Sequence, residues 1–354
     1  MLIATLGFVL GFSWWGTGWL ARHSSAIKVL DYPNERSLHR TPTPRTGGLA
    51  IMLSFFLGVI LLALGGAWPS TYDRPLLGWP MSFWLMGFTL LIAMVSFYDD
   101  HRGLPIAVRL SVQIAAASVL TIGGRLSLSS IDVPFVGLID LGWPALAGSI
   151  LFLVWMTNLY NFMDGMDGFA GGMTVVGFGC LAYFAWVANH QFIFATALIL
   201  SVASLGFLFH NFPPASIFMG DVGSVSIGFI SGSLIVLGCR DRVFTFWVPV
   251  ILFSPFIVDA TNTLVRRALR RQKVWEAHRE HYYQRLVLLG WGHRRTVIAE
   301  FGFMCGCAAL ACIYQFGAEW VRAVVLLVWC TALVSLMAGV RWAERTAIHS
   351  KQVS

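Results

Sequence analysis

The chain has 354 residues, of which 57% are hydrophobic and only 12% charged. Soluble domains carry roughly 25% charged residues, so this composition excludes an ordinary soluble enzyme and places the chain among membrane proteins. The formal net charge of +7 reads as membrane topology and not as nucleic-acid binding, because the basic residues segregate by loop.

Eleven stretches come close to the ~20 residues that cross a bilayer core as a helix: 2–20, 47–67, 78–97, 104–123, 143–163, 168–187, 191–209, 223–239, 243–263, 296–316 and 320–340. The first lacks a basic leader and a clear small-residue cleavage site, so it reads as a retained span. Span five carries Asn158 and Asn161 near its end, and the topology of everything after it depends on its crossing. The loops 21–46, 98–103, 164–167, 210–222 and 264–295, with the tail from 341, hold 18 of the 24 Lys and Arg. Positive charge stays inside, so these loops are assigned to the cytoplasm. The expected fold is an all-α polytopic membrane protein of about 11 transmembrane helices in a single domain, 1–354, with the N-terminus periplasmic and the C-terminus cytoplasmic. The 15 Trp and 27 Phe suit interfacial belts. Cys180, Cys239, Cys305, Cys307, Cys312 and Cys330 lie in or at the ends of apolar runs and read as small hydrophobes, not as metal ligands or disulfides.

In chain order, the first polar segment is DYPNERSLHRTPTPRTGG (31–48), a turn-rich loop. His39, Arg40 and Arg45 add positive charge there, and a structural loop and a substrate loop are equally open readings. FYDDHRG (97–103) sets Asp99 beside Asp100. Adjacent carboxylates repel unless a cation or basic group compensates, and acidic groups at membrane depth are functional by default. Arg109, inside span four, either snorkels to the interface or holds a lipid phosphate. NLYNFMDGMDGFAGG (158–172) contains Asp164 and Asp167, three apart, which share one face if the segment is helical. FMGDVGS (218–224) puts Asp221 among small residues at a helix start, where backbone N–H groups suit a phosphate. Carboxylate oxygens suit a hard cation, and Mg2+ takes one or two of them with waters and substrate phosphates. In the last large loop, Arg266, Arg267, Arg270 and Arg271 read as positive-inside charge. His278, Arg279 and His281 form a compact H-R-x-H cluster suited to phosphate contact and proton or hydrogen-bond roles. Zinc is disfavoured at the two histidines, because no Cys joins them.

Together these motifs make the chain resemble the polyprenyl-phosphate N-acetylhexosamine-1-phosphate transferase family, of the glycosyltransferase family 4 type. They are TPRTGG closing the first loop, YDDHRG, N-x-x-N-F-x-D-G-x-D-G at 158–168, FMGDVGS and the histidine-bearing loop, in the family's order from about residue 31 to 285. The likeness is greater to members that initiate O-antigen or enterobacterial antigen than to the peptidoglycan phospho-MurNAc-pentapeptide transferase. The resemblance implies transfer of a sugar-1-phosphate from a UDP-N-acetylsugar to undecaprenyl phosphate at the cytoplasmic face of a bacterial inner membrane, with release of UMP. It implies Mg2+, with Mn2+ as a substitute, and Asp221 with Asp100 as metal ligands. Asp99 and Asp100 would serve metal and acceptor phosphate, and Asn158, Asn161, Asp164 and Asp167 the nucleotide and metal site. Asn211 and Phe218 match positions near the uridine, and His278, Arg279 and His281 match the loop over the donor diphosphate. Arg40, Arg45 and Arg109 are the expected basic contacts to substrate. The implied partners are the UDP-N-acetylsugar, undecaprenyl phosphate and the bilayer, with no nucleic acid and a homodimer left open. The family's denser histidine run is here AHREHYYQRL, so the roles of the individual histidines stay open.

The nucleophile of such a reaction is a phosphate oxygen. A phosphomonoester has a second pKa near 6, so it is mostly ionised at neutral pH and needs little help from a base. Asp99 is therefore expected to orient metal and acceptor. A double displacement through an aspartyl phosphate is left open, as are the identity of the sugar, the peptidoglycan reaction, an ion or metal transporter and a non-catalytic scaffold.

Overall fold

Lipid satisfies no backbone N–H or C=O, so long apolar runs adopt helices that satisfy their own. The computed structural model describes residues 1–22, 29–33, 38, 41–69, 78–273 and 278–353, with side chains to 347. The chain runs α1 (Leu2–Arg22), β1 (Leu30–Asp31), β2 (Thr43–Pro44), α2 (Gly47–Leu64), α3 (Met81–Arg102), α4 (Ile106–Ser118), β3 (Ser130–Val133), β4 (Gly137–Asp140) and α5 (Pro144–Met163). It continues through α6 (Phe169–Val187), α7 (Gln191–Asn211), α8 (Gly220–Arg240), α9 (Trp247–Leu252), α10 (Ser254–Leu269), α11 (Tyr282–Leu286), α12 (Gly292–Phe316) and α13 (Glu319–Val353).

Among the described residues, nine helices are long and apolar enough to cross a membrane, against the eleven expected. The two differences have physical causes. α1 has 21 residues and packs on α2 and α7, but its Trp and Gly content makes it less apolar than the nine. The expected span 243–263 is broken at Phe253 into α9 and α10, with Pro255 in the first turn of α10, where its missing N–H is tolerated. α10 then runs to Leu269, past the expected boundary, and carries Arg266 and Arg267 in its last turn. The all-α expectation needs a small amendment. β1 pairs antiparallel with β2, Leu30 opposite Pro44, and β3 pairs antiparallel with β4, Ser130 opposite Asp140.

α8 is the central helix: from Gly220 to Gly238 all but Asp221 is buried. It packs against α5, α3 and α2, while α7 joins α6, α1 and α2. Small residues permit these approaches, as between membrane helices in general. A Cβ on Gly48 of α2 would lie 2.2 Å from the Gly223 amide nitrogen of α8. Some hydroxyls inside the bundle are satisfied locally: those of Ser54, Thr89, Thr157 and Thr174 each donate to the carbonyl four residues back. Exposed tryptophans gather at helix ends, with Trp79, Trp143, Trp186 and Trp320 as examples, as interfacial anchoring requires. α3 and α8 run antiparallel. Arg240 reaches the Met81 sulfur (3.9 Å) and the Gly124 carbonyl (3.5 Å) at one end, and the motif aspartates meet at the other.

The α2–α8 contact has a direct test. Gly48→Ala is expected to lower thermal stability by about 1–3 kcal/mol through overpacking, while Gly7→Ala, with open space around it, leaves the melting temperature of the purified protein unchanged or slightly raised.

Candidate active site

Helix ends bring the carboxylates together. Asp99 and Asp100 lie in the last turn of α3 and not in a loop, because the helix continues to Arg102 and ends at Gly103. Asp99 Oδ1 accepts from the Leu104 N–H (2.5 Å), and Oδ2 pairs with Arg109 Nη1 from α4 (2.7 Å). The same Nη1 is 3.4 Å from Asp221 Oδ2. Asp221 lies in the first turn of α8, and its Oδ1 accepts from Asn161 Nδ2 (2.9 Å), which also donates to Ser224 Oγ (3.1 Å). Arg45 Nη2 donates to the Asp100 carbonyl (3.1 Å) and stands 3.4 Å from Asp100 Oδ1.

The first loop is spliced onto the start of α8 by its main chain. The Phe218 N–H donates to the Pro44 carbonyl (2.7 Å), Gly47 to Phe218 (2.9 Å) and Gly48 to Met219 (2.7 Å). Gly220 sits at the junction with φ of +72°, and a Cβ there would lie 2.1 Å from the Arg45 carbonyl. Only glycine satisfies both conditions. The Gly220 N–H donates to Asp164 Oδ2 (3.2 Å), which draws in the segment after α5.

If all are ionised, Asp99, Asp100, Asp164 and Asp221 against Arg45 and Arg109 leave a formal charge of −2 (four carboxylates less two guanidiniums). Asp164, just past α5, is half-buried. Burial first, then the Asp221 carboxylate, pushes its carboxyl well above the ordinary range, against the opposing Gly220 N–H. Asp100 Oδ1 is buried and accepts no hydrogen bond. An all-oxygen donor set with surplus negative charge fits a hard cation that keeps waters and phosphates in its shell. Asp100 and Asp221 are the carboxylates able to hold it. Among the described residues, no three His, Cys, Asp or Glu side chains converge as a closed metal cage.

Asp164 and Asp167 do not share a helix face, because the segment between α5 and α6 is a turn. Their carboxylates have different partners: Asp167 Oδ2 accepts from the Ala215 N–H (3.1 Å), and Oδ1 stands 3.1 Å from His293 Nδ1. Asn211, expected near the nucleotide, is buried. It accepts from the Gly168 N–H (2.9 Å) and donates to the Ile217 carbonyl (2.8 Å), so its polar atoms hold loops. Phe218, expected there too, contributes main chain to the splice. Asn158 donates to Gln113 Oε1 (2.7 Å) and the Val154 carbonyl (2.8 Å). His281 is buried with Nδ1 3.2 Å from Asp259 Oδ1, and the His278 ring lies 4.8 Å from it, centroid to centroid. Burial, then His281 and Arg267, hold His278 down to about 4, so it is neutral at pH 7. Arg279 is half-buried and makes no ion pair among the described residues. Arg40 and His39 lie outside the described residues.

Sequence reasoning missed Gln113, Asp259 and His293. Asp259 had a signal: it is an ionisable residue inside an expected span. It also treated Arg267 and Arg270 as general positive charge, whereas both pair with Glu280, at 2.5 and 3.5 Å.

Beside the carboxylates, a groove of 190 Å³ opens between α3, α4, α5 and α8. Ile92, Val95 and Leu110 form part of its apolar wall, and Arg109, Asn161 and Asp221 its polar end. An apolar groove ending in arginine and aspartate, in a bundle of membrane-length helices, gives one site both an apolar wall and a charged end. The Glycosyl transferase family 4 model matches residues 82–239. The "Probable undecaprenyl-phosphate N-acetylglucosaminyl 1-phosphate transferase" of Bacillus subtilis (strain 168) is 32% identical over 80% of this chain and 78% of its own length. The "Decaprenyl-phosphate N-acetylglucosaminephosphotransferase" of Mycolicibacterium smegmatis is 33% identical over 81% and 75%. A "Phospho-N-acetylmuramoyl-pentapeptide-transferase" of Shouchella clausii is 30% identical over 73% and 79%. The chain belongs to the polyprenyl-phosphate hexosamine-1-phosphate transferase family.

The raised Asp164 carboxyl has a stability consequence. An unfolded Asp titrates near 3.9. A higher folded value means that stability is fully present below that pH and declines as pH rises toward the folded value. Asp164→Asn is expected to remove this decline. In chelator, its melting temperature should match the wild type near pH 4 and exceed it increasingly toward pH 8.

Proposed function

We propose that the protein transfers N-acetylglucosamine-1-phosphate from UDP-N-acetylglucosamine to undecaprenyl phosphate, with Mg2+, at the cytoplasmic face of the inner membrane. The observation that carries this reading is the meeting of Asp99, Asp100, Asp164, Asp221 and two arginines at the polar end of an apolar groove. An acceptor with an apolar chain and a phosphate head needs both features. The donor sugar is that of the N-acetylglucosamine-1-phosphate transferases to which the chain is similar. The lipid-linked product is the kind of intermediate on which surface polysaccharide, O-antigen included, is begun.

Phosphoryl transfer is mainly positioning and charge stabilisation. The acceptor phosphate oxygen attacks the β-phosphorus of the UDP-sugar, the bond to the bridging oxygen breaks, and UMP departs with its electron pair. Arg109 points between Asp99 and Asp221 at the polar end of the groove, where it grips the acceptor phosphate. Both oxygens of Asp99 are engaged, by Leu104 N–H and Arg109. Asp99 thus aims the guanidinium and is not a free base. Mg2+ held by Asp221 and Asp100 would neutralise the diphosphate oxygens. His278, neutral at pH 7, offers hydrogen bonds to the donor, and Arg279 offers charge.

UMP release by purified protein, with undecaprenyl phosphate, Mg2+ and a panel of UDP-sugars including UDP-MurNAc-pentapeptide, tests the reading. UDP-N-acetylglucosamine should give the highest kcat/KM, and chelator should abolish turnover until Mg2+ is restored. Asp100→Asn and Asp221→Asn should each lose on the order of 10²–10³-fold in kcat. Mg2+ should raise the melting temperature of the wild type but not of Asp221→Asn. Arg109→Met should raise KM for undecaprenyl phosphate more than for the UDP-sugar. No UMP from any member of the panel would sink the proposal.

A further inference from the structure

Asp259 is a carboxylate inside an apolar segment, and the site described above does not use it directly. It is buried on α10, yet four donors converge on it. Oδ1 accepts from the Tyr282 N–H (2.9 Å) and the Thr263 hydroxyl (3.2 Å), and His281 Nδ1 stands 3.2 Å from it. Oδ2 accepts from the Tyr283 N–H (3.3 Å). A carboxylate oxygen only accepts, so Nδ1 of His281 carries the proton and Nε2 is the nitrogen left for other work.

The contacts continue beyond the carboxylate. Tyr283 is fully buried, and its ring stacks on His281 at 5.8 Å and packs on Phe169 at 4.9 Å. Its hydroxyl donates to the Phe162 carbonyl (3.4 Å). That hydroxyl occupies the space a side chain at Gly165 would need, 2.2 Å from a Cβ there. Gly165 lies between Asp164 and Asp167. An unbroken series of contacts thus runs from Asp259, through the backbone of the histidine loop and the Tyr283 ring, to the turn that presents Asp164.

We propose that Asp259 is a positioning residue for the donor: through the Tyr282 and Tyr283 amides it holds the His278–His281 loop against the Asp164–Asp167 turn and sets where the UDP-sugar diphosphate is gripped. The role rests on the transfer reaction proposed above. It separates donor from acceptor, because Arg109 makes none of these contacts and the series meets the groove only at Phe162, whose carbonyl accepts from Tyr283. Arg267, on the same helix as Asp259, pairs with Glu280 and donates to the Lys273 carbonyl (3.0 Å), so loss of Asp259 misaligns the loop without releasing it.

The test uses the full-length protein in lipid nanodiscs, with kcat and both KM values from UMP release. Asp259→Asn keeps the shape but leaves one acceptor oxygen for four donors. Misplacement of about 1 Å costs up to ~10²-fold, so donor kcat/KM is expected to fall roughly 10–100-fold while KM for undecaprenyl phosphate stays within about twofold. Hydrogen exchange at the Tyr282 and Tyr283 amides should accelerate, and Asp259→Glu should recover part of the donor kcat/KM. Unchanged donor kinetics would overturn the proposal. So would a loss shared equally by both substrates, since a purely structural staple predicts that. If Asp259→Asn does not accumulate, Tyr283→Phe carries the test. It removes only the hydroxyl contact and should raise donor KM selectively. A wild-type protein that releases no UMP from any UDP-sugar would instead defeat the transferase reading, and this role with it.

Discussion

The structure depends on one backbone splice, between residues 44–48 and 218–220. Main-chain hydrogen bonds join the end of the first loop to the start of α8. Most of the residues in it are buried and such groups have no water to turn to, so the splice is held by the cost of breaking it. It orients the start of α2, which then packs glycine to glycine on α8. It also places the Arg45 carbonyl against Gly220 and the Arg45 guanidinium against Asp100.

From that junction the charge arrangement follows. Asp99 and Asp100 arrive on α3, Asp221 on α8 and Asp164 from the turn after α5. Among the described residues, the guanidiniums of Arg45 and Arg109 compensate them there. Arg109 does not simply snorkel to the interface; it bridges Asp99 and Asp221. An arginine so placed can exchange part of its contact with carboxylates for a substrate phosphate, because guanidinium binds both in the same geometry. The surplus negative charge gives a divalent cation a reason to bind beside the phosphates it would neutralise.

The histidine-bearing loop is fixed differently. α9 and α10 replace one continuous span, and the break at Phe253 lets α10 carry Asp259, Asn262 and Arg267 near the loop. A polar helix half of this kind is out of place in lipid but suits a surface on which a loop must dock. Asp259 and Arg267 both receive that loop, and Tyr283 fits it into the notch at Gly165.

Much of this was legible in the sequence. The apolar runs, the segregation of Lys and Arg, and the order of the acidic motifs determined a helical membrane bundle with its carboxylates at helix ends, because lipid allows few other outcomes. The pairing of Asp99 with Arg109, ten residues apart, was not anticipated, because the sequence left Arg109 either to snorkel or to hold a lipid phosphate. The α9–α10 break was missed although Ser254 and Pro255 stand at it, since hydropathy counts residues without seeing how they pack. The roles of Asn211 and Phe218 were decided by tertiary structure. It spent Asn211's amide on Gly168 and Ile217, and Phe218's main chain on Pro44 and Gly47, before any substrate arrives. The placement of Asp259, His281 and Gly165 was also beyond reach, because those contacts join segments about 20 to 120 residues apart, and only the folded packing brings them together. Sequence alone determined which end of the bundle is charged; the splice, the notch and the loop anchors decided which of those charges face one another.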